Sequence, residues 1–143
     1  MKWQVCSLVL LAGLTGLGLA ACSGDAGEPD TGCATAESVV LDQISTRVNP
    51  AVKDEFALAE GSSVPAEEHE SGYIVAASIK AKGIDVGFGY WWVSDLSGAA
   101  EEVLWASPFA DQFTTWPPAT SLKPPVDPDG ADIDAARTCL GGS

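Results

Sequence analysis

The chain has 143 residues and carries 7 basic against 20 acidic side chains, a formal net charge of −13. That balance argues against nucleic-acid binding, which depends on clustered Lys and Arg neutralising phosphates, and it disfavours adsorption to anionic lipid head groups. The length supports one compact domain and no internal repeat is visible.

Residues 1–21 have the three-part layout of a secretory signal. Lys2 supplies the positive start, an uncharged run rich in Leu, Val, Ala and Gly follows over 5–19, and small residues stand at Ala20 and Ala21. The apolar run is about 15 residues, whereas a spanning helix needs about 20. Gly13, Gly16 and Gly18 weaken it further as a helix. Leu19-Ala20-Ala21-Cys22 resembles the lipobox of bacterial lipoproteins: a branched apolar residue, two small residues, then cysteine. What the resemblance implies is a diacylglycerol thioether on the Cys22 sulfur and cleavage just before it. Two acyl chains anchor stably where one holds only marginally. The chain is therefore expected to divide into a cleaved signal (1–21), a lipidated cysteine with a flexible tether (22–32) and a single globular domain (33–143). Its place would be the extracytoplasmic face of the cell membrane, with the membrane as partner through lipid on Cys22. Cleavage removes one charge, that of Lys2, and takes the net charge from −13 to −14.

With Cys6 in the signal and Cys22 assigned to lipid, Cys33 and Cys139 remain, one near each end of the domain. In an exported protein such a pair is most simply a disulfide. A redox or metal site would need further ligands or a close CxxC spacing, and neither occurs in the sequence.

In chain order, residues 23–32 are Gly, Ser, Pro, Ala, Thr and acid, and read as the tether. Residues 34–48 have helical periodicity, with Val40, Leu41, Ile44 and Val48 on one stripe, Thr35 as N-cap and Asn49-Pro50 as the stop. Residues 52–60 fit a short helix or a strand. Residues 61–72 read as a polar acidic loop. Residues 73–82 alternate as a strand: Tyr73, Val75, Ala77, Ile79 and Ala81 face one way. Ser78, Lys80 and Lys82 face the other, which suggests a second face partly in water. Lys82-Gly83 supplies a turn, residues 84–86 a continuation, and 88–95 an aromatic strand. A short strand follows at 103–106. Ser107-Pro108 fits an N-cap with Pro at the first helical position. After a Pro-rich extended stretch, Asp129 is expected to cap a last helix over 130–140. The fold class expected is α+β: a small antiparallel sheet of three or four strands, an N-terminal and a C-terminal helix, and ends joined by a disulfide. Residues 73–79, 83–91, Phe113-Thr-Thr-Trp116 and the ending around Ala136-Arg137-Thr-Cys139 resemble small lipoproteins of high-GC Gram-positive bacteria. That resemblance implies a location and a fold, and no chemistry.

Catalytic groupings are sparse. His69, the one histidine, sits within Glu67-Glu68-His69-Glu70 and is a candidate base or ligand, although a histidine in a polar loop ordinarily points into solvent. No GxSxG elbow and no Gly-rich loop with Lys is present. Aligning Gly130 with the sixth position of a calcium loop places Asp127 and Asp129 correctly. It also leaves Pro125 and Ala136 where ligands are required. Acids at the start of a helix explain the segment more simply. Glu101 and Glu102, being adjacent, point to opposite faces of an extended chain. No metal or cofactor is expected. The aromatic strand carries Phe88, Tyr90 and Trp92 on one face and Gly89, Trp91 and Val93 on the other. Either helices cover both faces, or Tyr90, Trp91 and Trp92 form an exposed patch for a protein, glycan or apolar ligand. The expected function is a membrane-anchored, non-enzymatic binding module. The alternatives are a small envelope hydrolase using carboxylates or His69, and a structural envelope component.

Overall fold

The computed structural model describes residues 32–141. The signal, the lipobox with Cys22 and most of the tether lie outside the described residues. The elements run β1 (Ala34–Thr35), α1 (Ser38–Ser45), β2 (Phe56–Pro65), β3 (Tyr73–Ala81), β4 (Ile84–Val93), β5 (Val103–Trp105), α2 (Pro108–Phe113), a single 3-10 turn (Ala119–Ser121) and α3 (Ala131–Cys139). All five strands pair antiparallel with their neighbours, in the order β1-β2-β3-β4-β5. Cys33 and Cys139 are joined by a disulfide, their Cα atoms 5.6 Å apart across 106 positions of sequence.

The sheet corrects the expectation of three or four strands. β1 has no counterpart in the sequence reading, and β2, where residues 52–60 fit a helix or a strand, is a strand that continues through much of what reads as a polar loop. Gly61, Ser62 and Ser63 look like turn residues, yet Ser62 and Ser63 are buried. Their size is what the packing needs. A Cβ on Gly61 would stand 3.0 Å from the Ala76 carbonyl oxygen and 3.1 Å from Ala36 and Leu41 side-chain atoms. The Ser62 hydroxyl donates to the Ala136 carbonyl of α3 at 3.4 Å. Small residues here allow helices to approach a strand closely; they do not turn the chain.

At the other end, β1 occupies the start of the expected helix. Ala36 N–H still donates to Gly61 O at 3.0 Å, so the backbone stays extended past Thr35. The helix then begins at Ser38 with Glu37 at the N-cap, rather than after Thr35, and ends before Val48. The last helix also starts later than expected, with Gly130 at its N-cap in place of Asp129. Ser107 behaves as its sequence context indicates: its Oγ accepts from Ala110 N–H at 3.3 Å, with Pro108 opening α2. The β3–β4 turn has positive φ at both central residues, Lys82 at 55° and Gly83 at 75°. This is the two-residue geometry that matches strand twist.

Helices cover both faces of the sheet. On one side α3 buries Ile133 and Ala136 against Val64, Ile74, Ala76, Tyr90, Trp92 and Leu104. On the other, Val40 and Ile44 of α1 and Ala110 of α2 pack on Val75, Ala77, Ile79, Trp91 and Val93. The second face of β3 is therefore dry along most of its length, since Ile74 and Ala76 are fully buried. Solvent reaches it only toward Ser78 and Lys80.

Candidate functional site

The helical cover decides the aromatic strand. Tyr90, Trp91 and Trp92 are 7%, 0% and 5% exposed, so the patch proposed on these three residues is core. Trp91 lies flat over Gly89, where a Cβ would come within 2.3 Å of the indole. Its Nε1–H donates to Thr114 Oγ1 at 3.2 Å. Trp92 is covered on the α3 side, directly under Gly72, whose φ of 96° brings backbone onto the ring. The Arg137 guanidinium stands 5.9 Å from the centre of the Tyr90 ring.

His69 also departs from expectation. Its side chain is 6% exposed, not solvated. The β2–β3 connection folds back on itself through Ala66 N–H to Gly72 O and His69 N–H to Ala66 O, both 3.0 Å. That turn points the imidazole inward toward Trp92, with ring centres 6.5 Å apart. Nε2 lies 2.9 Å from the Pro124 carbonyl oxygen. A carbonyl can only accept, so Nε2 carries the proton. Nδ1 lies 3.8 Å from Asp132 Oδ2 and has no hydrogen-bond partner among the described residues.

Asp132 is buried in the first turn of α3, but its carboxylate is spent on another segment. Its two oxygens accept from the N–H groups of Glu67 at 3.1 Å and Glu68 at 3.2 Å. Together His69 and Asp132 latch the β2–β3 connection to α3 and to the Pro-rich segment. Asp132→Ala is expected to cost about 2–3 kcal/mol, because two charge-assisted hydrogen bonds are lost at once. The amides of Glu67 and Glu68 should then lose their protection in hydrogen exchange.

Three further acids, Asp95, Asp127 and Asp134, have local partners. Among the described residues no group of three or more His, Cys, Asp or Glu is placed to hold a metal ion. Asp127 Oδ1 accepts from Asp129 N–H at 2.9 Å, closing a local turn, and Asp134 pairs with Arg137 at 2.7 Å. In the β4–β5 connection the Ser97 hydroxyl, followed by its backbone N–H, holds the Asp95 carboxyl below its ordinary range.

Apolar surface remains open at the other end of β4. Ile84, Val86 and Phe88 are 68%, 42% and 44% exposed. The cover given by α3 stops at Cys139 and Leu140, leaving a hollow of about 430 Å³ lined by Glu60, Ser78, Asp85, Gly87, Phe88 and Leu140. Asp85 is held there by the Ser78 hydroxyl at 3.1 Å and by Lys80 Nζ at 3.9 Å. A larger groove of about 590 Å³ lies on the other side of Glu60 and Leu140, along the outer edge of β2 toward Cys33 and Leu41. Sequence reasoning placed Phe88 on the aromatic strand but looked for the patch too far along it; only the reach of α3 separates buried from open.

No protein-family model, curated protein or solved structure matches this chain. The residues themselves carry the functional reading. The chain enters the domain at Gly32, which packs beside Pro65 at one end of β2. Ile84 and Val86 lie at the opposite end, where Phe56 pairs with Ala81 and Ala81 with Ile84, and Phe88 lies midway, opposite Ser78. No helix among the described residues is long and apolar enough to cross a membrane.

Proposed function

We propose that this protein is an exported lipoprotein, held on the extracytoplasmic face of a membrane by lipid on Cys22, whose acidic domain is a binding module and not an enzyme. The observation that carries this reading is the polarity of the domain: chain entry at Gly32 stands at one end of the sheet and open Ile84 and Val86 at the other, with open Phe88 midway between. Measured along the strands, the separation is about 30 Å to Ile84 and about 17 Å to Phe88, which pairs with Ser78. A flexible segment of ten residues, the length of the expected tether 23–32, has a typical reach of roughly 17 Å. A domain so held would present its apolar end away from the lipid, where exposed apolar patches serve as contact surfaces. The disulfide supports the address, since such bonds persist in oxidising compartments. It also occupies Cys33 and Cys139, which leaves Cys22 for the lipid.

The test is made in producing cells. Mass spectrometry of the membrane fraction should find acylated Cys22 as the N-terminus, and Cys22→Ser should release the protein from that fraction. A photo-crosslinking residue at position 88 should form discrete adducts, while the same residue at exposed position 101 should not. A mature chain starting elsewhere without lipid would refute the anchor. Equal labelling at both positions would refute the binding surface.

A further inference from the structure

The two edges of the sheet are treated differently. At the β5 edge Trp105 donates its N–H to Pro117 O at 2.9 Å and bridges Pro118, so the following chain covers it. At the other edge β1 pairs with β2 only through Ala34↔Ser63 and Thr35↔Ser62, and the last contact is Ala36 N–H to Gly61 O. From there the chain turns away into α1. Residues 56–58 of β2 pair with β3 through Phe56↔Ala81, Ala57↔Lys80 and Leu58↔Ile79, and a bulge at Ala59 and Glu60 shifts the register before Gly61↔Ala77. No strand among the described residues lies on the outer side of 56–60. That is about 17 Å of strand edge with no strand partner. Open sheet edges template the addition of another strand; the bulge bends this one but no further described strand covers it.

The edge is also shaped. The groove of about 590 Å³ opens at its Ala59–Glu60 end, lined by Thr35, Leu41, Ala59, Glu60 and Leu140 among others. Glu60 and Leu140 are shared with the hollow floored by Phe88. Asp85 in that hollow already has Ser78 and Lys80 as partners. Glu60 makes no salt bridge among the described residues, although it stands between two concavities with apolar walls. A net charge of −13 surrounds it.

We propose that residues 56–60 of β2 receive an extended peptide segment as a sixth strand, in line with β1 and antiparallel to β2. Its alternate side chains are basic and apolar. Main-chain hydrogen bonds to the free edge supply the affinity, and side-chain pockets on alternate positions supply the choice. A Lys or Arg opposite Glu60 meets the unpaired carboxylate and lays its stem over Leu140 and Phe88. A second copy of the chain fits poorly, since it would bring Glu60 and another 13 net negative charges to the same edge. The inference rests on the reading of the domain as a binding module, and names the partner class that the open end of the sheet takes.

The test uses the full chain in detergent and three defined peptides: Lys-Val-Lys-Val-Lys, its Glu-Val-Glu-Val-Glu counterpart, and the basic peptide with N-methylated amides on one edge. The basic peptide should bind and protect amides within 57–60 from hydrogen exchange. The acidic and N-methylated peptides should bind at least about tenfold more weakly. Glu60→Lys, at an exposed position, should reverse the preference for basic over acidic peptide. Equal binding of the N-methylated peptide, or protection confined to other strands, overturns strand addition. An unchanged charge preference in Glu60→Lys overturns the basic partner. Crosslinking at position 88 fails or succeeds independently of these peptides, so loss of the edge proposal is distinguishable from loss of the binding reading.

Discussion

Breaking the Cys33–Cys139 disulfide, by reduction or by Cys139→Ser, is expected to lower stability by about 4–5 kcal/mol. The magnitude follows from the 106 positions between the joined residues, since an unfolded chain gains more freedom when a longer loop is released. The native state has little to replace it. β1 contributes two paired residues whose side chains are exposed, and α3 is nine residues long. The disulfide holds the last turn of α3 beside β1, and α3 covers one face of the sheet. For a domain of this size a loss of that order is a large share of the total. In urea it should appear as a midpoint lower by roughly 2–4 M in reductant. Hydrogen exchange should show Ala34, Thr35 and the end of α3 opening first. A midpoint that moves by less than about 0.5 M would contradict an entropic role for the bond.

Trp91→Ala is the next largest expected loss, about 3–5 kcal/mol. The indole is fully buried between Gly89, Ile79 and the helices on that face, so its removal leaves a cavity that cannot collapse against a strand held on both sides. The Nε1–H adds a polar component: it donates to Thr114 Oγ1, which itself donates to Ala110 O at the end of α2. Trp91→Phe keeps much of the volume but deletes this link, at an added cost of about 1 kcal/mol. The neighbouring indole is a sharp control, because Trp92 Nε1 has no partner among the described residues. Trp92→Phe should therefore lose no hydrogen bond and cost measurably less than Trp91→Phe in the same urea titration. Equal costs would mean that the Trp91–Thr114 link contributes nothing.

These two positions show how far local pattern reaches. Period-two alternation placed β3 over 73–82 and an aromatic strand over 88–95, because a strand writes its own faces into the chain; β4 itself starts earlier, at Ile84. The Lys82-Gly83 turn and the Ser107-Pro108 helix start were legible for the same reason: each depends on backbone geometry within four residues. The cysteine pair was reached by counting, on the expectation of export, and the Cys33–Cys139 bond is present. The first half of β2 was legible only as one of two options, since residues 52–60 fit a helix or a strand; its second half was not, because Gly61, Ser62 and Ser63 are the small residues of a loop. They are small to admit α1 and α3, whose contributions lie far along the chain; Ser62 and Ala136 are 74 positions apart.

Burial is where sequence reasoning stopped. His69 reads as solvated from its acidic neighbours, and is instead enclosed by Pro124 and Asp132, 55 and 63 positions away. The aromatic run reads as core or patch with equal chemistry either way. The sequence by itself determined the elements whose signals are local, the bond between the two domain cysteines, and the acidic character of the chain. The tertiary structure decided that α3 covers Tyr90 and Trp92 and stops before Phe88, and that β1 leaves half of β2 unpaired. Strand and turn geometry are properties of neighbouring residues, whereas exposure depends on where a distant helix ends, and no local pattern records that.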